Sequence, residues 1–258
     1  MADLRVERDG PLVVITIDRP DARNALAAGT IGELDAALEE LARGDASVAV
    51  LTGAGDRAFV SGGDLKELES QRGAEFAAGM AAGMRRTLDR IAELPIPVIA
   101  AVNGAALGGG AETAIACDFR IAADDARIGF TQVLLGLMPA WGGIERLAAS
   151  TGRSRALYLL LTGTVLSGQE AAAWGLVEES VPRPGFESRW RGLAAQVARA
   201  PRPALAGIKA AMQAAHPGSR PDLAGPAVAD FARVWAAEAH WRMAEELERA
   251  RRAGRQRA

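Results

Sequence analysis

The residue pattern predicts an α/β fold, and three observations carry that reading. Short apolar runs in the first half are each closed by glycine, proline or aspartate. Segments with apolar residues at helical spacing lie between those runs, and the second half is dominated by alanine- and arginine-rich helical stretches. Strands alternating with helices are the pattern of a sheet whose faces are covered by helices.

The elements follow in order. Residues 12–17 form an apolar run stopped by Asp18-Arg19-Pro20, which reads as a buried strand and its end. Residues 31–41 have helical spacing, and residues 48–51 are a second apolar strand closed by Thr52-Gly53-Ala54-Gly55. A helix around 81–94 leads to a third strand at 97–102, and residues 119–122 and 127–130 read as two more. Beyond these, 144–149, 154–161 and 169–174 are short helices punctuated by Gly152, Gly163 and Gly168. From Trp190 the pattern is helical, with interruptions near Pro201-Arg202-Pro203 and across 217–226. No fixed-period repeat and no flexible linker separates independent domains.

Composition excludes several function classes. The 258 residues are 49% hydrophobic and 24% charged, with 30 basic against 32 acidic side chains and a net charge of -2. A nucleic-acid partner would call for a basic excess. The single cysteine, Cys117, allows neither an internal disulfide nor a cysteine metal cluster. Two histidines, His216 and His240, are too few for a His-rich metal site, and both read as surface groups. No apolar run matches the length of a membrane span, and the N-terminus has no apolar core of a signal peptide. These features predict a cytoplasmic protein with no membrane partner.

Two glycine-rich segments carry the chemistry. The first is Phe59-Val60-Ser61-Gly62-Gly63-Asp64-Leu65-Lys66-Glu67, where a strand ends, two glycines follow and a helix starts. Asp64 and Glu67 are spaced as in a capping box, which is the plain structural reading. The second is Val102-Asn103-Gly104-Ala105-Ala106-Leu107-Gly108-Gly109-Gly110-Ala111-Glu112. Three glycines before a helix let a ligand approach amides that are unpaired and sit at the positive end of the helix dipole. The glycines do not fit G-x-G-x-x-G, because Ala106 fills the second glycine slot when the frame ends at Gly109, and no lysine follows as in a phosphate loop. Glu112 lies one turn into the helix, where an acid is also favoured by the dipole alone.

In this order the two segments resemble the enoyl-CoA hydratase/isomerase (crotonase) family. The similarity extends to Arg23-Asn24-Ala25-Leu26, residues 97–104 and 117–122, Leu135-Gly136-Leu137-Met138-Pro139, Gly142-Gly143 and Gly175-Leu176-Val177. It covers about residues 10 to 210. The resemblance implies a spiral of strand-strand-helix units over residues 1–200, followed by a helical region, 201–258, that serves trimerisation and covers the pocket. It implies an acyl-CoA thioester as substrate, with coenzyme A as part of that substrate, no metal and no further cofactor. Homotrimers or dimers of trimers are implied as well.

The resemblance also assigns roles. The amides of Gly63 and Gly109 form an oxyanion hole for a thioester enolate, and Ala25, Asp64, Leu65, Lys66, Gly108, Pro139 and Trp141 contact the substrate. Lys66 and Arg23 read equally as solvated charges, and Trp141 as packing. A hydratase of the family places two carboxylates in the pocket. Glu112 matches the first, whereas Gln132, which otherwise reads as a strand residue, occupies the second position. An amide exchanges no proton at neutral pH, so standard two-carboxylate hydration is not expected. Two alternatives follow. Some segments, including Pro139-Ala140-Trp141-Gly142-Gly143, are similar to malonyl-type acyl-CoA decarboxylases, whose enolate needs no base. The other is an acyl-CoA-binding protein without catalysis.

Overall fold

The computed structural model describes residues 2–68, 70–215 and 221–255. Strands β1 (Leu4–Asp9) and β2 (Leu12–Ile17) form a hairpin across Gly10, whose φ of 55° suits a tight two-residue turn. The chain then runs through α1 (Ala28–Arg43), β3 (Val48–Gly53), β4 (Ala58–Val60), α2 (Leu65–Leu68) and α3 (Ala74–Glu93). Next come β5 (Val98–Val102), β6 (Ala105–Leu107), α4 (Gly109–Ala116), β7 (Phe119–Ala123) and β8 (Arg127–Gly129). A 3-10 turn at Thr131–Leu135 leads to α5 (Gly143–Thr151), α6 (Arg153–Thr162), β9 (Leu166–Ser167), α7 (Gly168–Ala173) and β10 (Glu179–Val181). Four helices close the chain: α8 (Arg183–Ala198), α9 (Arg202–Ala215), α10 (Pro221–Trp235) and α11 (Glu238–Arg255).

The strands sort into two sheets. One has six strands in the order β1-β2-β3-β5-β7-β10, and the other has four in the order β4-β6-β8-β9. The chain alternates between them. Each pass lays a strand in the larger sheet, then one in the smaller sheet, then a helix: β3–β4–α2/α3, β5–β6–α4, β7–β8 and then α5. This is the expected spiral of strand-strand-helix units. All pairings among β2, β3, β5, β7 and β10 are parallel, and β2 and β5 are buried at every position. Near-continuous apolar runs are what strands covered on both faces require.

Three sequence readings change. Pro226 lies inside α10 and does not interrupt it. A proline there removes one helical hydrogen bond, yet α10 packs along α3 and buries Phe231, Ala232 and Trp235, so tertiary burial outweighs the local penalty. The segment 105–107, assigned to no separate strand by the apolar runs, is strand β6. His240 is buried, not at the surface, and its Nδ1 donates to the Leu135 carbonyl at 2.6 Å; His216 lies outside the described residues.

The C-terminal helices are anchored to the core by polar contacts as well as packing. Lys209 of α9 is buried and donates to Asp118 Oδ2 at 2.8 Å and to the carbonyls of Ile96 and Ile91 at 3.0 and 3.3 Å. Trp235 Nε1 donates to the Gln71 carbonyl at 2.8 Å, and the Arg72 guanidinium stacks 4.5 Å from the Trp241 ring centre.

Candidate active site

The first glycine segment is placed by a turn far from it in sequence. Arg23 and Asn24 have φ of 55° and 56°, left-handed values that asparagine tolerates better than most residues. Asn24 is fully buried and its carboxamide ties the turn down. Nδ2 donates to the carbonyls of Ala58 (2.7 Å) and Ala54 (3.0 Å), and Oδ1 accepts from the Arg19 amide (3.0 Å). The turn delivers Leu26 against the second segment. Leu26 N donates to Gly62 O at 2.8 Å, and Asp64 N donates to Leu26 O at 3.1 Å. In a parallel bridge of this kind the central residue uses neither of its own groups. The N–H of Gly63 therefore points away from Leu26.

Asp64 and Glu67 do not form the capping box that their spacing suggested. The Asp64 carboxylate accepts from Arg19 Nη2 at 2.9 Å, and Glu67 Oε2 accepts from the Ala28 amide at 3.0 Å, at the start of α1. With only one turn in α2, both carboxylates accept from donors far from them in sequence instead.

The second segment presents the start of α4. Gly108 has φ 56° and ψ -119°, a backbone conformation reserved for glycine. Gly109 is the first helical residue, so its amide has no partner within the helix. A Cβ at Gly110 would collide with the Val60 carbonyl, so β4 lies tight against the helix start. A Cβ at Gly62 would stand 3.4 Å from Gly109 N. The two glycine segments, 46 residues apart by their numbers 63 and 109, are thus in contact.

Glu112 sits one turn along α4 and is 2% exposed. Its Oε1 accepts from the amides of Trp141 (2.8 Å) and Gly143 (3.0 Å), and its Oε2 accepts from Gln132 Nε2 at 2.9 Å. Gly143 must be glycine, because a Cβ there would stand 2.5 Å from Glu112 Cγ. Burial pushes the carboxyl up to about 7, against the opposing pull of the Trp141 and Gly143 amides, the Arg146 charge and the Gln132 amide. Arg146, itself buried, donates to the Trp141 carbonyl at 2.9 Å and pairs with Asp89. Gln132, expected in a strand, lies on the 3-10 turn after β8, whose end is held by His240 through Leu135. Glu145, the other acid near this loop, is paired with Arg85 and is no second carboxylate for the site.

A cavity of about 580 Å³ opens beside these groups. Its walls include Gly63, Asp64, Leu68, Phe76, Met80 and Trp141. The structure thus places the expected Gly63, Asp64 and the Trp141 ring on the cavity, whereas Gly108, Gly109, Glu112 and Gln132 are not among its walls. That ring packs directly on Gly109, where a Cβ would fall inside it. Ala25 and Pro139 are buried but are not among the walls; the Ala25 carbonyl is taken by Arg19 Nη1 at 2.6 Å. Leu65 and Lys66 open α2, and their side chains lie outside the described residues. Among the described residues no group of three or more His, Cys, Asp or Glu side chains comes together as a metal site.

Sequence reasoning missed Arg146 and the apolar wall. Phe76, Met80 and Met84 recur every four residues along α3, a stripe that was legible in the sequence. Arg146 left no such signal.

The comparisons agree with this architecture. The family model described as "Enoyl-CoA hydratase/isomerase" matches residues 7–223. A "Probable enoyl-CoA hydratase" of Rhodobacter capsulatus is 43% identical over 211 residues, spanning 82% of this chain and 81% of that protein. A "Short-chain-enoyl-CoA hydratase" of Clostridium acetobutylicum is 41% identical over 177 residues, 68% of this chain and 67% of the relative. The crystal structure of an enoyl-CoA hydratase from Bacillus anthracis superposes with a TM-score of 0.81 at 34% identity, covering 90% of each chain. A match of that extent, on a fold whose glycine segments and buried glutamate meet at one spot, makes the chain a member of the enoyl-CoA hydratase/isomerase family.

Proposed function

We propose that this acyl-CoA enzyme holds a thioester oxygen between the amides of Gly63 and Gly109 and moves protons with a single carboxylate, Glu112. The observation that carries the reading is the division of labour on Glu112. Oε1 is saturated by two backbone donors, so Oε2 is the oxygen that exchanges a proton. A carboxyl with a pKa of about 7 is suited to both directions of transfer near neutral pH. The reaction that fits is reversible hydration of a 2-enoyl-CoA run on one carboxylate. Water oxygen bonds to C3, one water proton passes to Glu112 Oε2, and Glu112 returns it to C2 as the enolate collapses. Amides aimed at the thioester oxygen favour the enolate over the ground state. The names of the relatives support this choice of substrate.

Gln132 favours a second reading, decarboxylation of a malonyl-type acyl-CoA. That reaction reaches the same enolate without a base, and a neutral side chain at 132 removes one anion that would repel the substrate carboxylate. Incubation with crotonyl-CoA and, separately, ethylmalonyl-CoA, followed by product mass, separates the readings. Gain of water by crotonyl-CoA supports the first, and loss of CO2 from ethylmalonyl-CoA supports the second. Binding of both esters without turnover of either would leave a catalytically silent acyl-CoA-binding protein.

A further inference from the structure

We infer that Arg146 is a positioning residue that fixes the backbone of residues 141–143, on whose amides the Glu112 carboxylate is held. This rests on the single-carboxylate reading above and adds what that reading leaves open, namely what steadies the support of the one reactive group. The amides of Trp141 and Gly143 both donate to Glu112 Oε1, at 2.8 and 3.0 Å. The Trp141 carbonyl accepts from Arg146 Nη1 at 2.9 Å, so both backbone groups of Trp141 are taken, one by the carboxylate and one by the guanidinium. Gly142 lies between them with φ 92°, and a Cβ there would stand 2.2 Å from Arg146 Nη1. Glycine is required at 142 both for its conformation and for this close approach.

Arg146 is itself held by a closed set of charges between α3 and α5. Its Nη2 pairs with Asp89, whose carboxylate lies 3.6 Å from Arg85 Nε one turn earlier on α3. Arg85 in turn pairs with Glu145, the neighbour of Arg146 on α5. The side chains of Arg85 and Arg146 are 4% exposed and that of Glu145 is 8% exposed. Burying such a set gains little over apolar residues of the same volume, because desolvation offsets the attraction. What it supplies is direction. A guanidinium carries its donors in a rigid plane, so Asp89, by taking Nη2, leaves Nη1 aimed at the Trp141 carbonyl. The same charge acts on Glu112 directly, pulling the carboxyl down against the larger effect of burial.

The test is a double-mutant cycle on crotonyl-CoA hydration, with kcat and KM measured for wild type, Arg146→Met, Glu112→Gln and the pair. Arg146→Met is expected to lower kcat about ten- to a hundred-fold and to leave KM within a factor of about three, since misplacing a reacting group costs turnover more than binding. In the Glu112→Gln background the same change should cost less than about two-fold, because the group it positions is already gone. Arg146→Lys, with one ammonium for two acceptors, should fall between wild type and Arg146→Met. An equal loss of kcat in both backgrounds, or no loss in the wild type, overturns the assignment of Arg146 and leaves the single-carboxylate reading standing. A wild type that does not hydrate crotonyl-CoA overturns both. Where Arg146→Met does not fold, Asp89→Asn takes its place. It keeps the shape and withdraws the charge that aims the guanidinium, and its loss of kcat must likewise disappear in Glu112→Gln.

Discussion

Glu112 is almost completely buried, and that burial is what lifts its carboxyl into the neutral range. Its carboxyl is raised from the model-peptide value of 4.5 to about 7, so between those values the folded chain holds a proton that the unfolded chain has lost. Stability from this group is therefore full below about pH 4.5 and falls as pH rises toward 7, by roughly 3 kcal/mol in all. Glu112→Gln should flatten that slope, which urea melts at pH 5 and pH 8 would reveal. The same substitution should slow hydration at least about a hundred-fold, as expected for loss of a general acid-base group. In the wild type, hydration should rise through about pH 7 as the carboxylate forms, whereas a decarboxylation that needs no base should show no rise there. Gly109→Ala is expected to cost about a hundred-fold or more in rate, because the new methyl group displaces the Trp141 ring and shifts the donor. A wild-type rate for that variant would remove Gly109 from the site.

At the scale of elements, the site is assembled from one turn, two glycine segments and one loop, each held by something distant in sequence. Asn24 shows why part of this was legible and part was not. Arg23-Asn24-Ala25-Leu26 stood out as a matching motif and was read as bordering the substrate; in the structure Asn24 also ties this turn down through three hydrogen bonds, and the turn carries Leu26 to its bridge with Gly63. Asn24→Ala should destabilise the fold by about 3 kcal/mol, from buried groups left unpaired and from a strained φ, and should also lower kcat/KM through Gly63. Denaturant melts and initial rates on one preparation test both parts. The strands were readable because their apolar runs are local, and the glycines because close approach demands them. Arg146 and His240 were not, since a single polar residue on an amphipathic helix looks alike whether it meets solvent or a carbonyl across the core. Trp141, read as wall or packing, serves as both. Trp141→Ala should destabilise by about 3–5 kcal/mol and raise the relative rate on acyl groups larger than crotonyl, measured as a ratio of kcat/KM values.

For the molecule as a whole, the spiral closes its two sheets with helices, and the last three helices are bound in by Lys209, Trp235 and His240. No helix among the described residues is long and apolar enough to cross a membrane. Apolar side chains remain exposed in one place in particular, where Leu157, Tyr158 and Leu161 of α6 lie beside Leu134. The trimer implied by the resemblance predicts that this face is covered by a second copy of the chain. Leu161→Asp should then shift the mass measured by light scattering from trimer or hexamer toward monomer, and an unchanged mass would place the contact elsewhere. The loop between the 3-10 turn and α5 has a consequence of its own. One carboxylate receives the amides of Trp141 and Gly143 and the side chain of Gln132, so it is the rivet of that loop as well as its reactive group. Loop order and proton inventory then share a single titration. The empty enzyme should announce its readiness optically, as a change in Trp141 fluorescence near pH 7 that vanishes in Glu112→Gln, before any thioester is added.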